Sequence, residues 1–303
     1  MFVFDRLLPI FVETVLPVFL IAFAGFLVAW KIPIEGRALG QVTFYLATPS
    51  LVFRSLYQME IDFQALQQIA LIAAAVTVAA GAMGWLIGFD QDRRRRAALI
   101  LTSAVSNNGN MGIPICFFAF GQAGLALGTL YYVVSSFLSN TVGVVVASSG
   151  QASLLASLRQ SLRTPMIYAA TAGLLFNWLG GEAPLPLFRA IDLLANAAIP
   201  LLLVLLGVQL RSAPVMQGQA VILRSAVVRL VLGPLLAWQL CLLFGVSGVG
   251  RDVVILQAAM PTAVMTAVLA TEFDAAPRLV ASVIFVTTLA SMVTLSLVLW
   301  LLL

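Results

Sequence analysis

Apolar stretches of about 20 residues, the length a helix needs to cross the hydrocarbon layer of a bilayer, follow one another along this chain with polar breaks of only a few residues. Of its 303 residues, 62% are hydrophobic and 9% charged, whereas an ordinary soluble domain carries roughly a quarter charged residues. No water-soluble core hides so much apolar surface, so the sequence predicts an all-α integral membrane protein. Ten transmembrane helices are expected, near 7–29, 38–57, 66–89, 97–120, 123–147, 163–180, 187–210, 219–244, 252–272 and 277–302. The first apolar run follows Asp5 and Arg6 and reaches Trp30. It is too long and too weakly basic for a cleaved signal peptide, and reads as the first span.

Ten spans put both ends on one side, and the basic residues decide which. One set of loops and span ends holds Lys31, Arg37, Arg93, Arg94, Arg95, Arg96, Arg159, Arg163, Arg211, Arg224 and Arg278; the other holds Arg6, Arg189 and Arg251. Basic residues favour the cytoplasmic face, so both termini are expected on the non-cytoplasmic side of the inner (plasma) membrane. The run Arg93 to Arg96 then anchors topology first and contacts lipid headgroups second. The same placement accounts for the net charge of +4 without nucleic acid as a partner.

Catalysis has little to work with. His is absent, which removes the commonest general base and the commonest metal ligand. Cys116 and Cys241 are lone cysteines inside predicted spans and read as core residues. An intramembrane enzyme needs a nucleophile with a base or a metal cluster. A signalling receptor needs an attached soluble domain, for which these spans leave no room. No enzyme activity, cofactor or metal is expected.

The halves of the chain resemble each other. The string Ala24 to Trp30 matches Ala172 to Trp178, Arg37-Ala38 matches Arg189-Ala190, Pro49 matches Pro200, and Pro114 matches Pro261. Four correspondences in the same order at a nearly constant shift indicate a repeat, residues 1–150 and 151–303. Each copy holds five spans, an odd number, so the second must insert upside down relative to the first.

Expected span 4 carries Ser106-Asn107-Asn108-Gly109-Asn110-Met111-Gly112-Ile113-Pro114, and span 9 carries Gln257-Ala258-Ala259-Met260-Pro261-Thr262. Proline removes a donor, glycine weakens a helix, and Asn side chains compete for backbone hydrogen bonds, so both spans are expected to break midway. Pro114 and Pro261 suit the first turn of each second half-helix. Two such breaks meeting at mid-membrane would aim helix N-termini at a shared cavity, an arrangement suited to an anion. Asn107, Asn108 and Asn110 would donate neutral hydrogen bonds to a carboxylate. The competing reading is a pair of kinked helices with Asn as interhelical glue. On the first reading, Asn108→Ala and Asn110→Ala should weaken substrate binding without preventing folding.

Other polar groups inside spans are candidates because each is costly in lipid. Arg54 can meet an anion, pair with an acid or snorkel to the interface. Glu13 and Asp192 are the acids most suited to change protonation during a cycle. Asn140 shares a helical face with Ser136 that can line a cavity or pack. Arg229 has no partner nearby in sequence and is left unassigned.

Taken together, these strings resemble the auxin efflux carrier family, whose prokaryotic members include malate and malonate permeases. The resemblance lies in Phe44 to Phe53, Ser106 to Pro114, Asn196-Ala197-Ala198-Ile199-Pro200 with Gly207, and Met260-Pro261-Thr262. It implies a fold shared in outline with bile-acid sodium symporters and certain sodium/proton antiporters, with the broken helices crossing at Pro114 and Pro261. It implies a scaffold of spans 1, 2, 6 and 7, a mobile transport domain of spans 3 to 5 and 8 to 10, and dimers formed through the scaffold. It assigns Asn107, Asn108, Asn110 and Asn140 to the carboxylate, beside Gly109, Gly112 and Thr262 of the matching strings. The link between spans 5 and 6 is only about 15 residues here, unlike the long loop of the plant carriers, so regulation through that loop is not expected. The expected function is a secondary transporter of small organic anions working by an elevator-type alternating access. The alternative is a sodium- or proton-coupled symporter or antiporter on the same fold, and Asn in place of an Asp pair argues against the antiporter.

Overall fold

The computed structural model describes residues 7–60, 62–148, 153–211, 216 and 218–303. Asp5, Arg6 and the expected boundary between the halves, at residues 150 and 151, lie outside them. The described residues form helices α1 (Leu7–Lys31), α2 (36–57), α3 (Phe63–Ile87), α4 (Arg93–Ala104), α5 (108–120) and α6 (122–147). They continue as α7 (Leu154–Ser161), α8 (Pro165–Trp178), α9 (Leu185–Leu210), α10 (Gln219–Phe244), α11 (Gly248–Ala258), α12 (Met265–Glu272) and α13 (Pro277–Leu302).

Among the described residues, six helical stretches are long and apolar enough to cross a membrane: α1, α3, the 40 residues Asn108–Ala147, α9, α10 and α13. The protein is therefore a multi-pass membrane protein. The stretch Asn108–Ala147 folds back on itself at Gly121 (φ 62°, ψ −145°), a conformation that glycine tolerates, which separates α5 from α6. Expected spans 4 and 9 are each divided into two shorter helices, α4 with α5 and α11 with α12. Where the sixth span was expected, α8 has 14 helical residues, fewer than the roughly 20 that cross a bilayer unaided.

Proline shapes these helices in a recurring way. Pro17, Pro49, Pro114 and Pro234 each stand two residues after a five-residue π turn: Phe11–Val15, Thr43–Ala47, Asn108–Gly112 and Val228–Leu232. In each case the residue before the proline donates to the carbonyl five residues back. A proline ring collides with the carbonyl four residues back and brings no N–H, and the wider turn relieves the collision. Pro200 sits inside α9 without such a turn.

Packing sorts the helices into two groups. In one, α9 lies along α1 and α2, and α8 lies along α2. Gly207 and Gly25 let α1 and α9 touch backbone to backbone: a Cβ at Gly207 would stand 1.8 Å from the Ala22 carbonyl, and one at Gly25 2.4 Å from that of Val204. Small residues at helix contacts permit such approach in membranes. The Asn177 amide of α8 caps the end of α2, donating to the carbonyls of Leu56, Tyr57 and Met59 at 2.7–3.0 Å. In the other group α3 packs on α4, α11 packs against the Asn108–Ala147 stretch and α10, and α13 packs on α4, α10 and α12.

Three of the five ion pairs among the described residues lie at the end carrying Arg93 to Arg96. Asp92 caps α4, accepting from the N–H groups of Arg94 and Arg95 at 3.0 Å. Arg94 meets Asp274 at 2.5 Å. Arg224 forks onto Asp90 at 2.6 and 2.9 Å, and those hydrogen bonds hold the Asp90 carboxyl down at about 2.

Candidate functional site

α4 stops at Ala104 and α11 at Ala258, and the segments that follow pair with each other. The Asn107 N–H donates to the Pro261 carbonyl at 2.8 Å and the Ala263 N–H to the Val105 carbonyl at 3.0 Å. This places Ser106 opposite Thr262 in an antiparallel bridge. Unwound backbone inside a membrane must find partners in protein or water, and here each broken helix satisfies the other. Thr262 is fully buried, donates through its hydroxyl to the Thr102 carbonyl at 2.8 Å, and its N–H reaches the Thr287 hydroxyl at 3.3 Å.

The prolines sit differently from the expectation. Pro261 lies within the unwound segment and supplies a carbonyl to the pairing, while Pro114 lies beyond the Asn108–Gly112 π turn, past the first turn of α5. The unwound segments therefore meet at Ser106–Asn107 and Pro261–Thr262, with Pro261 at the crossing and Pro114 away from it. The π turn is the reason: it accommodates Pro114 inside the helix, so the break is set upstream of it.

The Asn residues separate by environment. Asn108 donates through its amide to the side chain and main-chain carbonyls of Gln257 at 2.7 and 2.8 Å, and its oxygen accepts from the Ser106 hydroxyl. Gln257, fully buried, donates in turn to the Gly128 carbonyl at 3.0 Å. Asn110 reaches Gln209 at 3.4 Å. Asn107 is 4% exposed, and its amide nitrogen is buried without a partner among the described residues. Gly112 is pressed against Gln257, where a Cβ would stand 2.2 Å from Oε1, and Gly109 lies under the Tyr132 ring. Asn140 is half-buried in the π turn Ser139–Gly143 of α6.

A second feature is a cavity of about 1080 Å³ between α2, α9 and the α5–α6 hairpin, whose polar lining includes Arg54, Gln58, Glu60, Gln122, Asp192 and Asn196. Arg54, its side chain 13% exposed, donates to Asp192 Oδ1 at 2.8 Å and Asn196 Oδ1 at 2.5 Å. Asn196 completes the triangle by donating to Asp192 Oδ2 at 3.4 Å. Leu127 lines the cavity and precedes Gly128, which accepts from Gln257, so the cavity approaches the crossing from one side. Glu13 is exposed on α1 and does not line it. The sequence strings include Asn196 and Gln257, but neither was given a role from sequence. Asn196 stands one helical turn after Asp192, a spacing that puts both on one face; Gln257 is a buried amide in an apolar run, the same signal that picked out Asn108.

The fold and these two features define a multi-pass helical membrane protein with paired interruptions in two helices. The family described as membrane transport protein matches residues 10–157 and 149–299, and the chain belongs to that family, the auxin efflux carriers. It is 28% identical over 299 residues to an uncharacterized transporter of Methanothermobacter thermautotrophicus, covering 94% of this chain and 96% of that protein. It is 25% identical over 278 residues to an uncharacterized transporter of Methanocaldococcus jannaschii, covering 89% and 90%. A Rhizobium meliloti protein named "Putative malonate transporter" is 29% identical over 294 residues, covering 92% of each chain.

Proposed function

We propose that this transporter carries small organic anions, carboxylates in particular, by alternating access around one site at the helix crossing. The observation that carries the reading is the Asn107 amide, buried in an unwound segment and unpartnered among the described residues. It lies beside the start of α5. Helix N-termini carry about half a positive charge each, so α5 and α12 together present about +1. Among the described residues no Asp or Glu side chain bonds to the two unwound segments. The cavity holding Arg54 is the entry, and the name of the Rhizobium meliloti relative favours a dicarboxylate such as malonate.

The architecture that goes with this function is ten crossings in two inverted five-helix repeats, 1–150 and 151–303. The helices α1, α2, α8 and α9 form a scaffold that joins two copies in a homodimer, and the remainder moves as an elevator. The protein resides in the inner membrane, bathed by lipid, with both termini on the non-cytoplasmic side.

The test is the melting temperature of purified protein with malonate, malate, acetate and chloride. A ligand that binds only the folded state adds about 2.7 kcal/mol at a hundredfold excess over its Kd. Carboxylates are expected to raise the melting temperature, and Asn107→Ala to cut their affinity about 10- to 100-fold, the worth of a hydrogen bond to a charged group. That variant should melt like the wild type without ligand, because the amide has no partner to lose. Silence toward every carboxylate would refute the reading.

A further inference from the structure

Among the described residues, Arg229 is the one charged side chain in the set of largest fully buried groups, 1% exposed. It stands in the π turn Val228–Leu232 of α10. Gly233 brings this part of α10 against the end of α11: a Cβ there would stand 2.8 Å from the Ala258 carbonyl. The guanidinium donates to the Ser103 carbonyl at 2.9 Å, to Ala258 at 2.9 Å, and twice to Met260 at 3.2 and 3.3 Å. These carbonyls lie at the C-terminal ends of α4 and α11. Among the described residues Arg229 pairs with no carboxylate.

Two helix C-termini supply about half a negative charge each, close to −1 in sum. One guanidinium, which stays protonated in proteins, balances them. Half-helix C-termini and unwound carbonyls are also where transporters with broken helices hold a coupling cation. We propose that Arg229 is a resident cation: it fills the carbonyl cradle at the crossing in place of a dissociable metal ion, so the crossing works without sodium. The balance it sets leaves the positive N-termini of α5 and α12 uncompensated, which favours an anion there; this second part rests on the anion-carrier reading, the first does not.

The test compares full-length wild type and R229A by melting temperature in sodium chloride and in choline chloride at equal ionic strength, with and without low-millimolar guanidinium chloride. The wild type is expected to melt alike in both salts. R229A should melt lower and recover with sodium or guanidinium, by roughly 3 °C at a tenfold excess over Kd. Sodium stabilisation of the wild type, or an R229A variant indifferent to both cations, would overturn the proposal. If R229A yields no folded protein, R229K decides: a folded, sodium-indifferent variant supports a resident charge, and one that sodium stabilises, or that also fails to fold, counts against it. The charge balance is read with R229Q, which should lose the malonate-induced shift seen in the wild type; a retained shift refutes that part. A wild type silent toward malonate strikes the anion reading alone and leaves the cation comparison intact.

Discussion

Valine at Gly112 is expected to leave little folded protein. The first carbon of any side chain there would stand 2.2 Å from Gln257 Oε1 and 2.9 Å from its Cδ, well inside contact distance. Gln257 cannot retreat, because it is fully buried and tied to both Asn108 and Gly128. Overpacking costs about 1–3 kcal/mol, and stranding a buried amide costs about 1–3 kcal/mol more. Against a typical total stability of about 5–15 kcal/mol, the sum is a large fraction. The measure is the yield and melting temperature of detergent-solubilised protein, with Gly112→Ala falling between. A valine variant melting within about 2 °C of the wild type would mean that α5 and α11 do not pack this way. The same network revises the expectation for Asn108: its alanine variant should lose stability, whereas Asn107→Ala should lose binding.

Substitutions of the Arg54–Asp192 pair should move transport in opposite directions. Arg54 is held by Asp192 and Asn196 at the cavity wall, so under the proposed anion transport an arriving carboxylate would compete with Asp192 for the guanidinium. Arg54→Ala removes the attraction and leaves a carboxylate facing the cavity. Loss of a hydrogen bond between charged groups is worth about 1.5–3 kcal/mol, so uptake of labelled malonate into proteoliposomes at low concentration should fall roughly 10- to 100-fold. Asp192→Asn removes the competitor and should tighten apparent affinity. Equal losses in both variants would make the pair a strut between α2 and α9 instead of a gate for anions.

The reach of sequence reasoning follows from where each interaction is encoded. Apolar runs and the Asn-Gly string are local, so the membrane setting and the two broken helices were legible from composition and spacing alone. The point of crossing was not. Proline reads as a helix breaker, but a π turn of five residues lets Pro114 stay helical and moves the break to Val105–Asn107. Which Asn is free was equally hidden, since Asn107 and Asn108 are neighbours and only a partner 149 positions away distinguishes them. Arg54 was rightly given an acid as one option, yet Asp192 lies 138 positions away. Arg229 stood out as a charge inside a span but could be given no role, because its partners are main-chain carbonyls that no side-chain pattern announces.

The backbone pairing of Ser106 with Thr262 also bears on how the protein is made. The two segments are 156 residues apart, 262 minus 106. At a synthesis rate of about 5–20 residues per second, residues Val105–Asn107 wait roughly 8–30 s before their partner segment leaves the ribosome. During that interval the Asn107 N–H and the Val105 carbonyl, which later bond to Pro261 and Ala263, are without those partners in a setting where unpaired amides are costly. A nascent chain truncated before Pro261 should thus remain beside the insertion machinery or be handed to quality control, and release into lipid should coincide with emergence of the second broken helix.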